Sequence, residues 1–395
     1  MNNKYIYMLL LAVFTVFAAE SIFGNIFNNY LQSLQISSAE LRGTLEFPRE
    51  LPGILSMFAV GILFFLRENQ IAAIASFIFG IGVGALAISN ISSSITLLVL
   101  FILIGSLGQH ILLVIVDSIV IHISKPENRG LRLGQMRGLV NAAGLAGSAY
   151  LWIKWEYISR SYGIDLLVSC SLSILAALIF LAVREEKLPQ KRKLKDTFII
   201  KKRYHLYYAL EVFFGARKQV FITFGFWVIV SVLDKSPAYI AKIMLIASLL
   251  GMFFKPFTGK LIQKFGERKV LIADSIALFV VCMVYAFSLK IFSLPTATIV
   301  ISICFIVDNL LFAAGAARSS YMGRIAEKKE DITPTLYTGM AINHVTSISA
   351  AVLGGYIWTW TGSHMGAFLF AAGLAVFSGF TAGRITDSPS SKLST

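Results

Sequence analysis

Residues 184–203 read REEKLPQKRKLKDTFIIKKR, from Arg184 to Arg203, and hold nine Lys or Arg against three acids. No other stretch is so charged, and what flanks it on both sides is strongly apolar. Before it, apolar runs cover about 5–32, 39–66, 71–89, 95–121, 134–157 and 164–183; after it, about 204–233, 239–258, 270–289, 296–317, 335–360 and 364–383. A helix needs roughly 20 residues to cross a bilayer, and each run supplies about that many. The spacing predicts an all-α integral membrane protein of twelve transmembrane helices in two pseudo-symmetric six-helix halves. Residues 1–183 form the first half, 184–203 a basic linker and 204–395 the second half.

Composition points the same way. With 56% hydrophobic and 14% charged residues, the chain has more apolar side chain than a soluble core of its length could bury. The runs are continuous and of helical length, unlike the short alternating segments of a membrane β-barrel. A net charge of +14 would suit a nucleic-acid partner, but the cations sit in alternate connections: Lys125, Arg129 and Arg132; the central stretch; Lys260, Lys264, Arg268 and Lys269; Arg324, Lys328 and Lys329. This is the positive-inside pattern. It predicts a multi-pass inner-membrane protein with cytoplasmic termini, contact with anionic lipid and no nucleic-acid partner. The first apolar run lacks a small-residue cleavage site and is expected to be retained. Cys170, Cys282 and Cys304 lie inside apolar runs without paired spacing, so neither a disulfide framework nor a metal site is expected.

The halves can be overlaid. At an offset of 198–199, Lys4-Tyr5 meets Arg203-Tyr204 and Gly61 meets Gly259; at 205–206, Gly134 meets Gly339 and Tyr150-Leu-Trp152 meets Tyr356-Ile-Trp358. A rival register of 191 pairs Glu20 with Glu211 and Asp117 with Asp308. Parallel six-helix halves are one recurrent transporter plan. After the eighth run, Gly259-Lys-Leu-Ile-Gln263-Lys264-Phe-Gly266-Glu267-Arg268-Lys269 resembles the loop signature of the major facilitator superfamily, Gly-x-x-x-Asp-Arg/Lys-x-Gly-Arg/Glu-Arg/Lys. The equivalent loop from Gly61 to Gln70 is eroded, with Phe65 and Leu66 at the Asp and Arg positions. Lys125 to Gly134 is similar to the family's link between spans four and five. The resemblance covers the whole chain and implies twelve spans with a substrate site between the halves. No Lys or Arg lies between Leu97 and His122 and no Pro between Gly134 and Gly163, which departs from the family's drug antiporters. The loop Asp is replaced by Phe65 and Gln263, so other contacts must latch that side.

Ionisable groups deep in a span are costly and usually face a cavity or a partner. In span one these are Glu20, with Asn25, Asn28 and Asn29 on the following turns; Glu20 is either a packing pair or a coupling group. Span seven carries Glu211, then Arg217 and Lys218, too deep for both cations to reach the surface; the first register sets Lys218 opposite Glu20. Span two opens with Glu40, Arg42, Glu46, Pro48, Arg49 and Glu50, whose i,i+4 and i,i+3 spacings suit an ion-pair belt at the outer rim or a gate. His110 and Asp117 in span four lie two turns apart, near one face. Arg137 and Asn141 in span five, Asp308 in span ten and His344 in span eleven complete the candidates. Gly80, Gly84, Gly138, Gly144, Gly147, Gly354 and Gly355 read as close helix packing.

No phosphate loop, zinc-protease or nucleophile-elbow motif occurs, so neither enzymatic activity nor a cofactor is expected. The expected function is secondary active transport of a small polar solute, anionic or zwitterionic, by alternating access. Protons or another ion would couple through Glu20, Asp117 or Asp308, and the protein would act as a monomer. Solute-binding or coupling residues would be Glu20, Asn25, Asn28, Arg49, His110, Asp117, Arg137, Glu211, Arg217, Lys218, Asp308 and His344, in a mid-membrane cavity lined by spans one, four, seven and ten. The alternatives are export of an amphipathic compound, given 31 Phe, or a transporter-derived sensor that moves nothing.

Overall fold

The computed structural model describes residues 3–62, 66–88, 94–124, 129–183 and 200–386, so most of the basic linker and the start of the Lys125 motif lie outside the described residues. The helices are α1 Asn3–Ser33, α2 Ala39–Thr44, α3 Glu46–Ile62, α4 Glu68–Ile88, α5 Ile95–Ile123, α6 Arg129–Ile153, α7 Tyr162–Ala182, α8 His205–Val220, α9 Pro237–Ile291, α10 Leu294–Leu311, α11 Gly315–Ile325, α12 Lys329–Thr361 and α13 His364–Gly383. Among the described residues, nine helical stretches are long and apolar enough to cross a membrane. One of them, α9, has 55 residues, about 80 Å at ~1.5 Å per residue, far more than a bilayer core of ~30 Å.

Gly266 divides α9. Its φ of 79° and ψ of 164° are open to glycine and strained for any residue with a Cβ, so the loop-motif glycine is what lets two spans follow each other without a longer connection. α2 runs into α3, and α10 into α11 through the 3₁₀ turn Phe312–Ala314, giving twelve rods among the described residues. The α2–α3 rod and α6 are spans despite low apolarity, since they carry Glu40, Arg42, Glu46, Arg49 and Glu50, and Arg129, Arg132 and Arg137. Serines set several starts. Ser38, Ser94, Ser161 and Ser363 accept backbone N–H bonds at the N-termini of α2, α5, α7 and α13. Beyond α8 the chain continues through two π-helical turns, Phe221–Gly225 and Val228–Val232.

Two compact units form. One comprises the described parts of Met1–Ser37, Pro48–Arg192 and Asp234–Leu249; the other those of Ser38–Phe47, Lys193–Leu233 and Leu250–Thr395. In the first, α4 packs on α5 and α7, and α1 on α6 and α7. Small residues permit this: Gly80 and Gly84 approach Ser173 and Cys170 of α7, and Gly147 approaches Ala18 and Ser21 of α1. In the second, α8 packs on α12 and α13, and α2 lies on α12, where Gly354 meets Phe224 and Gly355 meets Ala39. Gly138 and Gly144 depart from the packing expectation: a Cβ at either would meet nothing within 4 Å. Phe221, Tyr285 and Phe368 interlock at the centre of the second unit, with Tyr285 and Phe368 stacked 4.4 Å apart. Phe253, Phe380 and Trp360 are largely exposed, a cost in water that lipid removes.

Candidate functional site

In the first unit, polar groups line one face of α1. Gln109 of α5 donates to Glu20 at 2.5 Å, and among the described residues Glu20 makes no ion pair within 4 Å, although Arg49 lies near enough to act on its charge. Asn25 is buried and donates to Ser148 Oγ on α6 at 3.0 Å. Asn28 is buried too, and Asn29 donates to the Lys235 carbonyl at 2.7 Å. Arg49 is half-buried on α3, its guanidinium 5.5 Å from the Phe27 ring centre, while its carbonyl accepts from Ser106. His110 Nδ1 sits 2.9 Å from the Ser106 carbonyl and 3.1 Å from its hydroxyl.

Asp117 belongs to a different cluster from His110. It pairs with Arg137 of α6, and both are partly exposed. Three further ion pairs in this unit escaped the sequence reading, among them Lys242 at 2.8 Å from Glu156. His122 lies 2.8 Å from Glu68. Lys154 lies 3.0 Å from Asp165, which also accepts from Trp155 at 2.7 Å and is wholly buried.

The second unit buries more charge. Arg42 and Glu46 pair at 2.5 Å with both side chains at 0% exposure, and Gln219 donates to the other Glu46 oxygen at 2.7 Å. The outer-rim belt expected for span two is therefore corrected: the i,i+4 spacing forms its pair, but the pair is sealed against α8. Glu211 accepts from Arg318 of α11 at 2.9 Å and from Asn343 of α12 at 3.3 Å. Six residues on, Arg217 is 2% exposed, with Nη2 at 3.3 Å from Asp274 of α9 and Nη1 at 3.4 Å from Asp308 of α10. The Phe214 ring sits between the two arginines, 3.4 Å from Arg318 and 5.7 Å from Arg217. Lys218 is half-buried, and as the next helical residue projects about 100° away. Gly215 explains how α8 comes so near: any Cβ there would strike the Asn343 backbone, and its carbonyl accepts from Ser347 at 3.0 Å. His344 is half-buried on α12, one residue past Asn343.

Asp274 and Arg318 are the residues that sequence reasoning missed. Both lie within a few positions of basic loops, Asp274 five after Lys269 and Arg318 six before Arg324, which gives them the look of interfacial charges. Asp274 also lines a cavity of about 420 Å³ between α9 and α10, bordered by Phe254, Thr258, Phe265, Lys269 and Leu311.

At the basic-loop end of the second unit, Glu267 lies 3.3 Å from Arg324 and accepts from Ser320 at 2.8 Å, tying the loop motif to α11. Lys264 stacks 5.2 Å from the Phe265 ring. Gly259 is uncrowded, Arg268 is half-buried, and Gly61 falls inside α3. Asp331 Oδ2 accepts from Lys201 at 2.6 Å and Tyr204 at 2.7 Å. The Lys201 bond, then the Tyr204 bond, hold the Asp331 carboxyl below the usual carboxylate range, and the same contact raises Lys201.

Solved structures share the fold over nearly the whole chain. Nucleoside transporter NupG is similar at 16% identity over 97% of this chain and 98% of its own, with a TM-score of 0.77. A D-xylose-proton symporter matches at 13% identity over 99% of both chains, TM-score 0.75, and the peptide transporter POT in complex with sulfate at 13% over 96% and 93%, TM-score 0.76. Among curated proteins no sequence relative is found. The sequence profile of the Major Facilitator Superfamily matches residues 9–330, well over half of the chain, and the chain belongs to that superfamily.

Proposed function

We propose that this protein is a secondary active transporter of a small polar solute, zwitterionic or anionic, moved by alternating access. The observation that carries this is the row of polar groups on α1, α3 and α5. Glu20 is held by a neutral amide, Asn25 and Asn28 follow on the next turns, and Arg49 and His110 stand across from them. Keeping such groups in a span costs several kcal/mol in total, and a polar cargo that they bind offsets that cost. A carboxylate on α1 and a guanidinium on α3 of the same unit suit a solute that carries both an amine and an acid. Arg217 is a poor anchor for an anion, because it is buried between two carboxylates. The similar structures named above are of nucleoside, xylose and peptide transporters, all for small polar solutes, which supports the solute class.

Counterflow in proteoliposomes tests it, with labelled amino acids, dipeptides, nucleosides, sugars and small carboxylates as the panel. At least one zwitterionic or anionic solute is expected to exchange, and Arg49→Gln is expected to lower that exchange about tenfold, the loss of one charge-assisted contact of ~1.5 kcal/mol. Exchange of none of these solutes would sink the transport reading and favour a non-transporting sensor. Exchange that is unaffected by Arg49→Gln and Glu20→Gln would remove α1 and α3 from the solute path.

A further inference from the structure

Beside Gly266 the two arms of α9 and the end of α10 leave the cavity of about 420 Å³. The arm before Gly266 lines it with Phe254, Thr258, Leu261 and Phe265, whose spacings of four, three and four put them on one helix face. Ala273 and Ala277 of the other arm, and Leu311 of α10, complete the wall. From Phe265 to Phe254 is about 16 Å along the helix, so the same volume spread over that length has a cross-section of roughly 26 Å², the width of a single alkyl chain. Three polar side chains reach this slot, and two are already engaged. Thr258 donates to the Phe254 carbonyl of its own helix at 3.0 Å, and Asp274 accepts from Arg217 at 3.3 Å. Lys269, at the basic-loop end, is exposed and has no hydrogen bond or ion pair among the described residues.

The slot opens sideways. Phe265 and Ala273 line it and are also exposed, and the large apolar side chains of Phe253 and Ile276 stand exposed on the same arms of α9. In a membrane protein such a flank faces lipid, so a molecule dissolved in the bilayer reaches the slot directly, whereas one in water does not. Its mouth is cationic. Lys264 stacks 5.2 Å from the Phe265 ring, Lys269 lies four residues beyond Phe265, and the acid of that loop, Glu267, is taken by Arg324 at 3.3 Å and Ser320 at 2.8 Å. We propose that this slot binds one anionic phospholipid, with an acyl chain along Phe254, Leu261 and Phe265 and the phosphate at Lys269 and Lys264. The proposal does not depend on which solute the protein moves, or on whether it moves one.

Other occupants fit less well. A free phosphate would meet the cations but leave the apolar slot without a partner. A cationic amphiphile would be drawn to Asp274, yet Arg217 already holds that carboxylate and Lys269 stands at the entrance. Moving a chain from the bilayer into the slot gains little, because lipid tails are as apolar as its wall. The headgroup therefore decides. Each Lys near an anionic headgroup contributes about 1 kcal/mol, so Lys264 and Lys269 together give roughly a thirtyfold preference over a lipid of no net charge.

Native mass spectrometry of the purified full chain, titrated with phosphatidylglycerol or with phosphatidylcholine of the same acyl chains, tests this. Wild type is expected to hold one phosphatidylglycerol roughly thirtyfold more tightly than phosphatidylcholine, Lys269→Ala to weaken it about fivefold, and Lys269→Arg to keep it. Ala273→Phe fills the slot and should expel the lipid. Circular dichroism and size exclusion check that each variant is folded; should Ala273→Phe not fold, Lys269→Ala and Lys269→Arg decide. Lys328→Ala, exposed on another basic loop, should leave binding unchanged. Equal binding of the two lipids, or an equal loss with Lys328→Ala, would show only the general attraction of a basic surface and overturn the site. Full retention of phosphatidylglycerol by a folded Ala273→Phe places the lipid elsewhere and overturns it too. Glycerol phosphate that raises the melting temperature as much as phosphatidylglycerol does overturns the lipid in favour of a water-borne phosphate. Binding of dodecyltrimethylammonium in place of the lipid, abolished by Asp274→Asn, overturns it in favour of a cationic amphiphile.

Discussion

Replacing Arg217 with Gln is the most informative single perturbation of the second unit. The guanidinium is 2% exposed and stands between Asp274 and Asp308, so the neutral amide leaves two buried carboxylates with no facing cation. Removing one partner of a buried ion pair costs about 3–5 kcal/mol, nearly all of it the cost of the stranded charge. The reverse change behaves differently. Asp308→Asn forfeits only a long 3.4 Å contact and leaves Arg217 its hydrogen bond to Asp274, so it should alter stability by no more than about 1 kcal/mol. The double variant Arg217→Gln with Asp308→Asn should recover roughly half of the loss, because only Asp274 then lacks its partner. Thermal unfolding in a mild detergent, followed by tryptophan fluorescence at neutral pH, ranks the three against wild type. Equal destabilisation by Arg217→Gln and Asp308→Asn would refute that ordering.

Three other expectations follow from single contacts. Gly266→Ala places a Cβ at φ 79° and should cost about 1–3 kcal/mol, whereas Gly259→Ala, uncrowded, should be close to neutral by the same melt. Asp331 has its carboxyl held low by Lys201 and Tyr204; the stability this gives is present above the ordinary carboxylate value of ~3.9 and is lost as pH falls through the lower folded value, so Asp331→Asn should flatten the acid limb of a stability–pH curve. The contact raises Lys201, and its share is present below the usual lysine value and fades at higher, alkaline pH. Arg42→Met alone should destabilise by about 3–5 kcal/mol, while Arg42→Met with Glu46→Leu should restore most of it, since a buried pair exchanged for apolar groups is often neutral; no recovery in the double variant would show that Gln219 depends on Glu46 for more than charge.

Spans were legible because a bilayer leaves a length and polarity signature in the chain: the runs at 95–121 and 364–383 correspond to α5 Ile95–Ile123 and α13 His364–Gly383. Span ends were less so. The run ending at 317 stops one residue before Arg318, yet the helix goes on to Ile325, and the arginine is buried because Glu211 and the Phe214 ring receive it. Hydropathy counts a charge as an end; only packing reveals that it is inside. Glu211, Arg217 and Asp308 stood out as costly in apolar surroundings, but the sequence has no way to say that one guanidinium serves two acids from α9 and α10. Asp274 was visible within Val270–Ala277 as the one acid in that apolar stretch, a signal that could have been used. Arg42 and Glu46 show the converse case, where the pairing was written in the spacing and the burial was not.

The π-helical turns after α8 bear on how span seven tolerates change. Each such turn closes on the fifth residue, so it holds one residue more than the α-helix would. Deleting a single residue within Phe221–Gly225 would let the backbone relax into ordinary α geometry, keep its hydrogen bonds and leave the phase of Arg217 relative to Trp227 nearly unchanged, because the wide turn is where the extra residue is absorbed. A deletion in the α-helical part of α8 after Arg217 has no such outlet: everything before it would swing by about 100°, turning Arg217 away from Asp274 and Asp308 while Val228, Ile229 and Val230 remain buried farther along. Length variation in span seven would thus be absorbed at its wide turns and read as rotation elsewhere, where a shortened helix would present the wrong side chains to α9 and α10.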